Sequence, residues 1–451
     1  MKKDMTQGGE WKVILLFTLP IMGGNFLQQL YNAADGIVVG NFVGGTALSA
    51  VGTCGPMTVL FLAFAIGLGV GAGVAVAQYF GAKQHKDMEE AICTAIIFMG
   101  AVGAAFSVIG ILVSPFLLDT VLNVPENILP LAESYFKIYC IGLFFQFIYN
   151  CLASIMRSLG DSKAMFIFLA VTSGANIALD LLFVAVFKWG VAGAAAATVI
   201  SQGACAVVSY IYLRRKLTDV KIALEFSVSK CLLILKLGVP LSIQQSIISF
   251  GILAMQRLVN GFGQTSIEGF TAGTRIDQFV FVPCFGFQAG LSAFVGQNIG
   301  AGKLDRAKRG LIETMKMSMV MSVFICVLLF ATARPVAGLF GLADESLERA
   351  VEQIRFLSYF FIIFAVFTSL SGFLQGAGDV MILSFSSALS LFVRVALSYA
   401  GVYMGWLGYS AGWVTLPVGW IIALIIMWVR YLSGKWRFKA VAGGDQPNPA
   451  A

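Results

Sequence analysis

Two aspartates sit where a chain of this composition should carry none. Asp35 and Asp180 each lie inside a long apolar run. An ionisable group at the centre of a membrane helix costs about 2.5–3.5 kcal/mol on the insertion scale and by default marks a functional position. Asp35 ends a polar stripe of Asn25, Gln28, Asn32 and Asp35, whose steps of three, four and three residues place all four on one helical face. Such a stripe faces protein or water, not lipid. Hydrogen bonding between helices accounts for the amides about as well as a substrate role does, but a buried carboxylate needs a partner or a proton. Asn176 and Asp180, one turn apart, repeat the pattern on a later helix.

Counting residues from the helix ends puts both carboxylates at a similar depth. Thr198 reaches the same level on the next helix, and Tyr135 stands where it caps the group. Carboxylate, amide and hydroxyl oxygens together suit a hard cation such as Na⁺. The same group equally suits a proton, and the residue types do not choose between H⁺ and Na⁺. The metal reading is therefore Na⁺ at Asp35, Asn176, Asp180 and Thr198. No cofactor is expected beyond the coupling ion, and no catalytic residue of an enzyme is evident.

The elements that must hold these residues follow from composition. The chain has 451 residues, of which 58% are hydrophobic and only 12% charged. A soluble domain carries about 25% charge, so a soluble globular protein and a disordered one are both excluded. Twelve long apolar helices are predicted at 13–39, 51–78, 91–117, 131–155, 164–187, 190–213, 231–259, 268–296, 311–333, 350–374, 381–404 and 408–431. The fold class is all-α integral membrane. The first run is long and carries Asn25, Gln28 and Asp35, so it is read as a span and not as a cleavable signal. Lys and Arg concentrate in alternate loops, which places both termini on the cytoplasmic side of a plasma membrane.

Several other signals are set aside. The net charge of +7 is spread between apolar runs, so no nucleic acid partner is expected. Eight cysteines show no CxxC spacing, and the one histidine, His85, lies in a charged loop. GAGK at 300–303 lacks the spacing and the Ser/Thr of a phosphate loop. GLGVGAG at 67–73 lies within a span and suits close helix packing. The tail from about 440 is polar and rich in Pro and Gly, and is expected to be disordered.

The chain repeats itself at an offset near 218–220 residues. Pro20 aligns with Pro240, the AQYFGAK stretch near Gln78 with GQNIGAGK near Gln297, and LGDS at Leu159 with AGDV at Ala377. Two parallel six-helix repeats place a substrate site between them, near the midplane. The expected organisation is an N-terminus 1–12, an N-lobe 13–213, a linker 214–230, a C-lobe 231–433 and a tail 434–451. Asp35, Asn176 and Asp180 correspond to Met255, Arg394 and Ser398, so the acidic chemistry belongs to the first half alone. The second half carries Arg257, Arg275, Asp277 and Arg394. The favoured reading pairs Asp277 with an arginine of another helix. The sharper one puts Arg275 or Arg394 in the cavity against an anionic substrate group. Candidate cavity residues are Asn25, Gln28, Asn32, Gln245, Met255, Arg275 and Arg394.

With these residues in view, the sequence resembles the multidrug and toxic compound extrusion (MATE) family, over about 11–433. The resemblance rests on DGIVVGNFVGGTALSAVG from Asp35 to Gly52, the QYFGAK and GQNIGAGK repeats, RSLGDSK at 157–163 and NIALD at 176–180. It implies two pseudo-symmetric six-helix lobes of the MATE/MOP flippase-like fold. It also implies a secondary antiporter that exports organic, often cationic, compounds against H⁺ or Na⁺. DinF-like members hold the cation in the N-lobe, and their pattern maps onto Asp35, Asn176, Asp180 and Thr198, with Tyr135 close by. NorM-like members add acidic residues in the C-lobe, where this chain has Ile248 and Ser249 on the seventh helix. The chain therefore resembles the DinF-like branch more. A monomer in the lipid bilayer, taking small organic substrates, is expected. The alternative is a flippase for a lipid-linked saccharide or other amphipathic lipid substrate, which calls for more cavity arginines than are present.

Overall fold

The computed structural model describes residues 4–122, 124–216 and 225–441. The tail beyond Val441 and part of the linker lie outside the described residues, and with them the expectation of a disordered tail. Every regular element among the described residues is helical. In chain order these are α1 (Glu10–Phe42), α2 (Gly45–Gly81), α3 (His85–Phe116), α4 (Leu129–Ser158), α5 (Ser162–Asp180), α6 (Gly190–Lys216), α7 (Val228–Asn260) and α8 (Gln264–Gly300). The chain continues with α9 (Leu304–Gly338), α10 (Asp344–Ser358), α11 (Phe361–Gly376), α12 (Val380–Tyr403), α13 (Ala411–Val414) and α14 (Leu416–Leu432). Eleven spans among the described residues are long and apolar enough to cross a membrane, the last of them formed by α13 and α14 together. The tenth predicted helix is instead a pair, α10 and α11, bent by 56° at a two-residue break, and it completes twelve if counted as one span.

The surface agrees with a bilayer. On α9, Val320, Phe324 and Val327 stand exposed on one side of the helix, a row of apolar side chains that water would penalise. The cysteines are all free, and seven of the eight are buried.

The described residues gather into two compact units. Among the described residues, one unit joins Asp4 to the stretch from Gly23 to Ser246, and the other joins Met5–Met22 to the stretch from Ile247 to Val441. The first half of α1 thus packs with the second unit, and the first half of α7 with the first. The glycines of α2 and α8 make this packing close. A methyl on Gly71 would stand 2.5 Å from the Gly238 backbone nitrogen of α7, and Gly67 meets Ser242 one turn on. In the second unit Gly290 meets Thr18 and Gly286 meets Met22. The glycine pairs are 219 residues apart, so the repeat read from sequence is a repeat of helix contacts. In the first unit α4 is central, packed by α2, α3 and α6; in the second α8 is packed by α9, α10 and α11.

The repeated Gly-Asp hairpins are charge clamps. Asp161 caps α5 through Ala164 N–H at 3.2 Å, accepts from Tyr212 at 2.7 Å and pairs with Lys216 at the end of α6. Asp379 forms the corresponding ion pair in the second unit, with Arg430 at 2.5 Å, but its side chain does not cap α12. Asp161 lies outside the spans. Its burial opposes ionisation, but hydrogen bonds from Lys216, Tyr212 and the Ala164 N–H outweigh this and hold its pKa below the ordinary value.

Candidate functional site

The first unit encloses a group of polar atoms without partners. Asp180, at the end of α5, is fully buried, and neither carboxylate oxygen has a hydrogen-bond partner among the described residues. Asn176, one turn earlier, is buried with its Oδ1 and Nδ2 both unpartnered. Asp35 Oδ1 on α1 is likewise enclosed and unpartnered. Ser173 and Ser201 add unpartnered hydroxyls on α5 and α6. An orphaned buried polar atom costs about 1–3 kcal/mol, more when charged. Several together on one helix face need a ligand or a proton.

The local sequence explains the placement. Ser173, Asn176 and Asp180 follow steps of three and four on α5, so they share one face. Immediately after Asp180 the helix widens into a π-helical turn, Leu181–Val186, in which Phe187 N–H reaches back to Leu182. Such turns concentrate at functional sites. Asp35 acts electrostatically on Asp180, on Tyr135 and on Tyr31. The structure therefore brings Asp35, Asp180 and Tyr135 into one neighbourhood. Tyr135 stacks on Tyr139 at 6.4 Å between ring centres, and Tyr139 donates to Gln146 Oε1 at 3.1 Å. Thr198 donates to its own helix at Ala194 O, 3.1 Å away, which leaves its oxygen lone pairs able to accept or ligate.

Every oxygen in this set is hard, and three of the unpartnered ones belong to the carboxylates of Asp35 and Asp180, so the donor chemistry fits Na⁺ as it fits a proton. No cluster of three His, Cys, Asp or Glu side chains of the transition-metal kind occurs among the described residues. Sequence reasoning missed Tyr31, Ser173, Ser201 and Gln202. Tyr31 hydrogen-bonds the Gln202 side chain. The signal for three of them was present: Tyr31 is one turn from Asp35, Ser173 three residues from Asn176, and Gln202 one turn from Thr198.

The cavity candidates divide between the units. In the first, Asn25, Gln28 and Gln245 are partly buried and Asn32 is exposed. In the second, Met255 is packed in an apolar core with Val259, Phe270 and Trp413. Arg275 is exposed. Arg394 is partly buried and donates to Gly412 O at 3.2 Å, with its Nε unpartnered. Asp277 departs from expectation: its partner is no arginine but the Gln353 amide, at 2.9 Å. The two arginines nearest in sequence logic are unavailable, one turned to the exposed face and the other bonded to a backbone carbonyl.

Fold and site together describe a helical protein with the spans of a multi-pass membrane protein and a duplicated helical unit, in which Asp180 is buried and Asp35 partly buried in the first unit. A family model described as MatE matches residues 20–182 and again 240–400. The chain belongs to that family, and the two matches fall on the two repeats. It is 29% identical over 435 residues to the "Probable multidrug resistance protein YpnP" of Bacillus subtilis, covering 96% of this chain and 97% of that one. It is 27% identical to the "Probable multidrug resistance protein YoeA" of the same organism, covering 82% of each. Among solved structures, a "Crystal structure of MATE in complex with MaL6" superposes with a TM-score of 0.90 at 24% identity, over 96% of this chain and 98% of that one.

Proposed function

We propose that this chain is a secondary active multidrug efflux antiporter, exporting organic, cationic compounds in exchange for H⁺ or Na⁺ across the plasma membrane. The single observation that carries the coupling site is the set of enclosed, unpartnered atoms on Asp35, Asn176 and Asp180. The names of the relatives support the multidrug reading. The coupling ion enters from outside and neutralises the two carboxylates. Thr198 and Tyr135 complete its surroundings. Pro20 and the Gly23–Gly24 pair give α1 the freedom to bend, so loading the site changes how α1 packs and releases the substrate outward. The emptied site reloads before the carrier resets. A potential of 100 mV supplies about 2.3 kcal/mol per charge moved, enough for tens-fold accumulation.

The carrier works by alternating access of its two lobes, as a monomer with both termini cytoplasmic. The amide stripe Asn25, Gln28 and Asn32, with Gln245, Arg275 and Arg394, contributes to substrate contact. The missing acid on α7, where Ile248 and Ser249 stand, supports the DinF-like branch. The test is ethidium efflux from energised vesicles carrying wild type, Asp35→Asn or Asp180→Asn, with Na⁺ and H⁺ gradients imposed separately. Efflux driven by one gradient in wild type and lost in both variants is expected. Full efflux in Asp35→Asn overturns the coupling site. A wild type that moves no ethidium under either gradient brings the lipid-linked saccharide flippase forward.

A further inference from the structure

The second unit holds a buried acid that the coupling site does not use. Asp277 on α8 is 5% exposed and Gln353 on α10 is 1% exposed. Gln353 Nε2 donates to Asp277 Oδ2 at 2.9 Å. The other two oxygens of the pair, Asp277 Oδ1 and Gln353 Oε1, are both enclosed and both without a partner among the described residues. The helices close tightly here: a methyl on Gly273, one turn before Asp277, would stand 2.5 Å from the Gln353 carboxamide carbon. The surroundings are apolar, with Ile276, Ala350, Ile354 and Leu357 in the same core cluster.

Among the described residues, no charged side chain acts on the carboxylate, whose one side-chain partner is Gln353. On α8, Arg275 is exposed and Glu268 is bonded to Ser346. On α10, Arg349 pairs with Glu345, Glu348 with Arg334 of α9, Glu352 accepts from Tyr409, Arg355 lies over the Phe330 ring, and Asp344 is in the exposed first turn. α11 carries no ionisable side chain. An ionised Asp277 would thus be a buried charge with no countercharge, facing an amide whose own oxygen lacks a donor. A single proton resolves both faults. A carboxylic acid and a primary amide are complementary: each gives one donor and takes one acceptor. A metal ion fits less well, because a hard cation takes several oxygens and only two are free here.

We propose that Asp277 and Gln353 form a second proton-binding site of the chain, in the second unit, with the proton on Asp277 Oδ1 donated to Gln353 Oε1. The proton comes from water and only an O–H bond is made, while Oδ2 goes on accepting from Nε2. The ligand is therefore a proton alone. The site is separate from Asp35 and Asp180, and it stands whether or not those residues couple transport.

The test is infrared spectroscopy of the purified full-length protein, with deuterium exchange to mark protonated carboxyls, in an Asp35→Asn/Asp180→Asn background. That background is expected to keep a deuterium-sensitive carboxyl band at neutral pH. Asp277→Asn, which preserves both hydrogen bonds of the pair and so folds, is expected to remove it. Gln353→Met is expected to shift the band to higher frequency, since the proton loses its acceptor. A spectrum unchanged by Asp277→Asn shows Asp277 ionised and overturns the proposal. A band that Asp277→Asn removes but Gln353→Met leaves in place overturns the sharing with Gln353. If Gln353→Met does not fold, the Asp277→Asn result decides alone.

Discussion

Replacing Asp180 by asparagine should make the protein more stable while it stops coupled transport. The wild-type carboxyl is fully buried, and neither of its oxygens has a partner. When ionised, with no cation bound, it is an uncompensated buried charge, a situation that costs about 3–5 kcal/mol where a buried pair has been broken. The amide has the same shape and no charge, but it also goes unpartnered, and an orphaned neutral group still costs about 1–3 kcal/mol. The difference between the midpoints leaves a net stabilisation of about 2 kcal/mol for Asp180→Asn. The gain should be largest at alkaline pH without Na⁺. It should fade as acid neutralises the wild-type carboxyl. A ligand that binds only the folded state stabilises by RT ln(1 + [L]/Kd), so if Na⁺ is the coupling ion, adding it raises the wild-type unfolding temperature and leaves the variant unmoved. Thermal unfolding in detergent, scanned over pH with and without Na⁺, measures all of this. A variant less stable than wild type at alkaline pH without Na⁺ would mean that the buried carboxylate is well compensated and Asp180 carries no vacant ion site.

Three further outcomes can be checked on the same purified protein. Gly71→Ala forces a methyl against the α7 backbone at 2.5 Å and should cost about 1–3 kcal/mol or more. Gly290→Ala meets side-chain atoms of Thr18 and Phe17 rather than backbone, and the Thr18 hydroxyl can turn away, so its loss of unfolding temperature should be the smaller. Asp161→Asn should flatten the acid limb of the stability profile. The folded-state pKa of Asp161 lies below the unfolded value of about 3.9, so its stabilisation is complete above that value and is lost as pH falls through the lower folded one. An acid limb identical in wild type and variant would remove Asp161 from the clamp.

Much of the fold was legible because a bilayer leaves few options. Apolar length gave the spans, and the 219-residue offset that aligns Gln78 with Gln297 also pairs Gly67 with Gly286 and Gly71 with Gly290 at helix contacts. The break between α10 and α11 was not legible. Ser358, Tyr359 and Phe360 contain no Pro or Gly, so no local breaker marked the 56° bend. The acid and amide stripes on α1 and α5 were readable from three- and four-residue spacing. Whether each polar atom finds a partner was not, since that depends on rotamers and on neighbours far away in the chain. Asp277 shows the limit: its partner Gln353 lies 76 residues on, and an expectation built on charge chose an arginine instead of an amide.

If one pair of carboxylates answers to both ion and substrate, adding substrate to purified protein drives the ion off. Ethidium added to weakly buffered wild type should release protons, or displace radiolabelled Na⁺, and Asp35→Asn and Asp180→Asn should bind ethidium and release neither. Equal ion release from both variants and wild type would contradict the assignment of coupling to Asp35 and Asp180.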